Sequence, residues 1–317
     1  MLDVEWWGQD TADAKGLPAL YEENFIENAS SCTNVYSPID CYRVMVNTGG
    51  MPVPSLSKLH EYPALTVGLV IFTFLLLVYD VSLDFSLSYK FALYPDAPLS
   101  FDLNRLSFYL LFHQGLFHWA LNIASLVFPL ALFEQKHGTI HTGITLNLLA
   151  VITGLQFCIV GHFLYPETHV IGLSGVVFSF ISYIAFNEHK YNPILYQFKV
   201  ASYDVDVPTL YGPFIYLIVT SIIFPGSAFF GHLFGITTGF MLGAGYIKPL
   251  YPPVKIVLFI EDKLARPIAK LNQIVHWVHE KDAQSSRSVV YEPLLSTDPE
   301  APRPSNPFPG EGNVLSS

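Results

Sequence analysis

The chain has 317 residues, of which 51% are hydrophobic, 15% aromatic and only 13% charged, with a net charge of −10 that comes largely from its two ends. A soluble domain carries about 25% charged residues, so the composition excludes an ordinary soluble enzyme and points to a membrane protein. No basic block or nucleic-acid motif is present, which excludes nucleic acid as a partner.

Residues 1–60 are polar and acidic and predict little fixed structure. They carry no signal-peptide pattern. Met51 stands just before the apolar region and is an alternative start, and Asn28-Ala29-Ser30 is a glycosylation sequon for a lumenal segment only. Cys32, Cys41 and Cys158 form no CxxC pair and no tetrahedral ligand set. Cys32 and Cys41 pair only in an oxidising compartment, and Cys158 reads as a small buried hydrophobe.

An all-α membrane core is expected over residues 61–250, with six spans at 64–83, 116–133, 142–165, 170–186, 209–225 and 229–247. Asp80 near the end of the first span suits an interface position. Residues 84–112 are too apolar for a free loop and too broken for a span, so they predict a loop partly sunk in the interface. Glu134-Gln135-Lys136-His137-Gly138 stops the second span. The fourth span reaches only about 26 Å, which leaves one end below the membrane surface. Residues 187–208 read as a polar connection.

Six spans put both termini on one side, with Lys136, Lys190, Lys199, Lys248 and Lys255; Lys90 and Arg105 remain opposite. The positive-inside rule makes the first side cytosolic. Residues 251–280 show helical spacing with mixed charges, for a helix lying on the cytosolic face or a solvated one. Residues 281–317, rich in Pro, Ser and Glu, predict disorder.

This topology places His113, His118 and Asn122 at the start of the second span, Ser174 at the start of the fourth and His232 at the start of the sixth. All five fall at one depth. Polar groups in a bilayer are costly and face a cavity or one another. Ser174 alone reads as a helix-packing hydroxyl, and His232 alone as a satisfied polar group. Together they suit acyl transfer: Ser174 as nucleophile, His232 as its base, and His118 with Asn122, four apart on one helical face, as oxyanion donors. No aspartate is at hand to orient His232, so a dyad is expected. Three imidazoles could bind zinc, but no acidic residue in these segments completes a hydrolytic site. No metal and no cofactor are expected.

Gly235 and Gly239 follow His232, and Gly175 and Ser179 follow Ser174, as two small-residue stripes that let helices approach. The stretches from His113 to Asn122, Gly172-Leu173-Ser174-Gly175, and His232 to Gly239 together resemble the rhomboid family of intramembrane serine proteases. The resemblance covers about residues 60–250. It implies a six-helix bundle that cleaves transmembrane helices of other proteins, with Ser174 and His232 as the catalytic pair, His118 and Asn122 at the oxyanion site and His113 in support. The chain departs from that pattern where Asn104-Arg105 replaces a Trp-Arg pair and Phe178 stands where a tyrosine is frequent. Glu134 and Gly138 fit it.

The tail sequence Phe308-Pro309-Gly310-Glu311-Gly312-Asn313-Val314-Leu315 resembles a box that binds the valosin-containing AAA+ unfoldase, with Phe308 and Leu315 as anchors and Gly310 and Gly312 allowing close approach. The combination is similar to fungal Golgi rhomboids linked to membrane-bound sterol-regulated transcription factor precursors. The alternative is a non-catalytic adaptor like the derlins, which use the same box but lack the serine and histidine.

Overall fold

This computed structural model describes residues 60–287, apart from 201, 202, 225 and 227. The acidic amino-terminal segment and the tail box at Phe308–Leu315 lie outside those residues. The elements in order are α1 (Ala64–Ser82), α2 (Ser86–Phe91), α3 (Arg105–Phe108), α4 (Leu116–His137), α5 (Thr139–Leu164), α6 (Ser174–Glu188), β1 (Ile194–Val200), β2 (Tyr203–Pro208), α7 (Gly212–Ile223), α8 (Phe229–Gly243), α9 (Val254–Lys263), α10 (Ala265–Leu271) and α11 (Glu280–Arg287).

Helices α1, α4 and α5 are long and apolar enough to cross a membrane; α7 and α8 are shorter and apolar. With α6 they make the expected six-helix bundle of a multi-pass membrane protein. Helix α6 is apolar all round, and Val176, Val177, Phe178 and Phe180 on different sides of it are all buried. An all-round apolar helix belongs at the centre, and α6 sits there against α4, α5, α7 and α8. Leu126, Leu130, Leu149 and Phe157 fill the space around it. Ile71, Phe72, Leu75 and Val78 on α1 are exposed instead, which gives the bundle its lipid face.

Helices α6 and α8 meet backbone to backbone. A Cβ added at Gly235 would stand 2.3 Å from the Gly175 carbonyl oxygen, and one at Gly239 would stand 2.1 Å from that of Ser179. Ser179 Oγ uses the proximity and donates to the Gly235 carbonyl at 3.0 Å. Deeper in the bundle, Gln156 of α5 donates to Thr238 of α8 at 2.7 Å, and Thr153 donates to the same hydroxyl at 3.0 Å.

The region 84–112 is more ordered than a sunken loop. Asp80 is buried within the protein, and its carboxylate accepts from the backbone N–H of Leu87 and Ser88. An anion there satisfies the free amides at the start of α2. Arg105 pairs with Asp102 and donates to the Ala92 carbonyl at 2.6 Å. Leu93 and Val170 exchange both backbone hydrogen bonds at 2.9 Å, which ties this region to the approach to α6.

At the other end of the bundle, Glu134 is completely buried. It accepts from Leu65 N–H, Thr66 N–H, Thr66 Oγ1 and Thr139 Oγ1, each at 2.8 Å. One side chain thus caps α1 and fixes the turn between α4 and α5. The expected helix over 251–280 is broken in two, α9 and α10, after which the chain returns along the bundle. His276 donates its N–H to Tyr62 O and accepts from Ala64 N–H, both at 2.8 Å, and Thr139 N–H donates to Val278 O at 2.9 Å. Glu261 of α9 accepts from the Glu280 N–H at 3.1 Å, which locks the strap's far end.

Glu134→Ala strands four donors without an acceptor, at about 1 kcal/mol or more apiece. We expect it to lower the detergent unfolding midpoint by far more than Thr66→Ala, which removes one of the four. Gly239→Ala forces α6 and α8 apart at a cost of about 2 kcal/mol or more, and thermal unfolding should show the loss; Gly68→Ala, which meets nothing within 4 Å, should leave the midpoint unchanged.

Candidate active site

Ser174 is the first residue of α6, and His232 lies in the first turn of α8. His118 lies in the first turn of α4, with Asn122 one turn on and His113 in the segment that precedes that helix. All these helix starts point to one end of the bundle, opposite Glu134 and the strap.

The segment before Ser174 is held on both edges. The Leu93–Val170 bridge fixes its beginning, and Gly172 N–H donates to the Tyr109 carbonyl at 3.0 Å. Gly172 adopts φ +110, a backbone region that L side chains avoid. Space excludes a side chain there as well: a Cβ would stand 2.8 Å from His118 Cε1 and 3.1 Å from its Nε2. The His118 imidazole therefore lies directly against the backbone two residues ahead of Ser174. On the far side of the serine, a Cβ at Gly175 would stand 3.6 Å from the Gly231 carbonyl. Gly231 immediately precedes His232, so the two glycine neighbours of the predicted pair touch.

His232 is buried and its ring stacks on Phe178, with centroids 4.6 Å apart and planes 24° from parallel. Its Nδ1 makes no hydrogen bond among the described residues. Phenylalanine supplies the flat surface that orients this ring. Phe178 in turn packs on Tyr216 of α7 at 5.2 Å.

His113 and His118 meet edge to face at 5.3 Å. His113 is 1% exposed, and neither of its ring nitrogens meets hydrogen-bond geometry; nor does His118 Nδ1. Asn122 is buried and donates through Nδ2 to the His118 carbonyl at 2.8 Å. That bond uses one of its two amide protons and leaves the other available. Among the described residues, no three His, Cys, Asp or Glu side chains gather at metal-ligand spacing.

The structure adds residues that the motifs did not indicate. A cavity of about 20 Å³ touches Ser174 and is lined by Tyr109, Thr153, Gly154 and Gly172 among others; that is room for about one water. Tyr109 is buried and donates its hydroxyl to the Ala150 carbonyl at 3.2 Å. Its only trace in the sequence is one tyrosine within an aromatic-rich stretch. Gly154 had the clearer signal as a glycine inside a span: a Cβ there would meet Leu93 at 3.0 Å and Leu106 at 3.1 Å.

Residues 100–249 match the Rhomboid domain. They include all the site residues described above. Over most of its length the chain is also similar to curated fungal proteins. It is 56% identical to Rhomboid-type serine protease 2 of Debaryomyces hansenii over 274 residues, 84% of this chain and 96% of the relative. It is 47% identical to that of Candida albicans over 86% of this chain and 98% of the relative. The Saccharomyces cerevisiae protein of the same description is 36% identical over 77% of this chain and 91% of its own length. Helices of this length and order, a serine at the start of the central one and this breadth of similarity lead to one assignment: the chain belongs to the rhomboid family of serine proteases.

Proposed function

We propose that this chain is an intramembrane serine protease working through a Ser174–His232 dyad. One observation carries the reading: the backbone contact of α6 with α8, which sets Gly175 against Gly231 and leaves His232 stacked on Phe178. Ser174 Oγ attacks the scissile carbonyl carbon while its proton passes to His232. The resulting oxyanion is held by the Ser174 N–H, an imidazole N–H of His118 and the free amide proton of Asn122. His232 then gives its proton to the leaving amine. Water attacks the acyl-enzyme while His232 takes one of its protons; as the ester C–O bond breaks, His232 passes that proton to Ser174 Oγ and the acid product leaves.

His113 acts behind His118, where edge-to-face packing holds the His118 ring against Gly172. Substrates are transmembrane helices of other membrane proteins, unwound near the end of the bundle where Ser174 lies. Membrane-bound sterol-regulated transcription factor precursors fit that class. Positive charge on the strap side favours cytosolic termini, in the Golgi or endoplasmic reticulum. The tail box at Phe308, Gly310, Gly312 and Leu315 would then recruit a valosin-containing AAA+ unfoldase from the cytosol. Retention of both Ser174 and His232 argues against a purely non-catalytic, derlin-like adaptor.

Ser174→Ala and His232→Ala should each reduce cleavage of a reporter transmembrane substrate by about 10³-fold or more, and Asn122→Ala by about 10²-fold, with unchanged unfolding midpoints. Equal cleavage by wild type and both dyad variants overturns the protease reading. Truncation before Phe308 should abolish unfoldase pull-down and leave the bundle's unfolding midpoint intact; continued binding overturns the tail assignment.

A further inference from the structure

The connection between α6 and α7 is a β-hairpin, and its two faces differ sharply. β1 and β2 pair antiparallel, with Tyr196 opposite Val207, Phe198 opposite Val205, Gln197 opposite Asp206 and Lys199 opposite Asp204. Side chains alternate across a strand. Tyr196, Phe198, Tyr203, Val205 and Val207 therefore share one face, while Gln197, Lys199, Asp204 and Asp206 share the other. The polar face is satisfied within itself: Gln197 Nε2 donates to Asp206 at 2.9 Å, and Lys199 pairs with Asp204 at 3.6 Å. On the apolar face the rings of Tyr196 and Phe198 stack at 6.2 Å. Tyr196 is 65% exposed and Tyr203 is 77% exposed. A lone two-stranded ribbon is marginal in water, so this face calls for a cover.

The root of the hairpin is rigid. Thr209 N–H donates to the Pro193 carbonyl at 2.9 Å, Thr209 Oγ1 donates to that of Asn192, and Asn192 Nδ2 donates to Glu188 at 2.7 Å. Leu195 packs on the start of α7, within 3.4 Å of a Cβ placed at Gly212. The ribbon is thereby held at the helix ends opposite Ser174. The ribbon leads through Tyr211 directly into α7, whose Ile215, Ile218, Val219 and Ile222 are exposed as a lipid-facing stripe.

We propose that the aromatic face of this hairpin lies in the headgroup layer of the leaflet farther from Ser174. Three physical constraints choose that occupant and that depth. The ribbon is rooted by Leu195 and Thr209 at the start of a helix that carries an exposed apolar stripe. Tyrosine and phenylalanine beside a lysine suit the interfacial belt, where aromatic rings meet headgroups. The outer strand edges carry unpaired N–H and C=O groups, which exclude the hydrocarbon core but not the hydrated interface. The hairpin acts as a float: it fixes how deeply α6 and α7 sit, and so how far Ser174 lies from the opposite surface.

The test uses the full chain carrying Cys32→Ser and Cys41→Ser, with buried Cys158 retained, reconstituted in phosphatidylcholine vesicles. Spin labels are attached singly after Tyr196→Cys, Phe198→Cys or Tyr203→Cys, and after Gln197→Cys, Lys199→Cys or Asp206→Cys. Collisions with oxygen, which partitions into lipid, should exceed collisions with an aqueous nickel chelate for the first three and fall below them for the second three. Nickel access to both faces overturns the proposal. Spin–spin broadening at the apolar positions that vanishes on dilution with unlabelled protein also overturns it, in favour of a second copy as the cover. Because a cysteine could loosen the ribbon, Tyr203→Trp supplies an aromatic-conserving check. Its added emission should be lost with brominated lipid and persist with aqueous iodide; the reverse result refutes membrane contact.

Discussion

Two carbonyl oxygens facing two missing side chains govern the molecule. Gly175 O and Ser179 O occupy the space that a side chain on Gly235 or Gly239 would need. Lipid offers no hydrophobic drive for helices to associate, so this approach rests on close packing and on polar groups brought within reach. Ser179 Oγ donates to the Gly235 carbonyl, and the Gln156–Thr238–Thr153 cluster adds bonds from α5. Enclosure of α6 follows from that contact. So does the position of its first residue, Ser174, beside the first turn of α8.

The two ends of the bundle treat polar groups in opposite ways. At the strap end, Glu134 is buried with four donors, and backbone groups of Tyr62, Ala64 and Thr139 pair with the returning chain. A fully satisfied network of that kind rigidifies what it joins. At the serine end, buried ring nitrogens of His113, His118 and His232 fall outside hydrogen-bond geometry with the described residues. Unsatisfied buried groups cost free energy and call for a reason. The proposed acyl transfer, which brings a peptide carbonyl, a proton and a water to these groups, supplies one. The fold thus concentrates its satisfied polar chemistry where it needs rigidity and keeps its open polar chemistry where it needs reactivity.

Legibility in the sequence followed the period of the pattern. The long spans were plain because an apolar run of bilayer length has few other readings. The five polar residues proposed for the site stand out because charge-poor spans make a lone histidine or serine conspicuous. The hairpin was missed because Ile194–Pro208 contains charges at alternate positions, so its average polarity reads as a connection; only the pairing of Tyr196 with Val207 and Phe198 with Val205 shows that the apolar residues share a face. Asp80 and Glu134 were read as boundary charges for a similar reason. Their burial depends on donors seven, eight and more than sixty residues away, which no local window contains.

The sequence by itself determined the number and order of apolar helices and which polar groups stand at their starts, because both are properties of residue type and local spacing. It also determined that α6 and α8 could come close, since glycine removes the obstacle wherever the helix lies. Only the tertiary structure decided which surfaces met. It set the imidazole of His118 against Gly172, laid His232 on Phe178, folded the strap back onto Thr139 and gave the hairpin an apolar face on which Tyr196 and Tyr203 stand exposed. Those outcomes depend on contacts between residues far apart in the chain, and their energies exist only once the helices have packed.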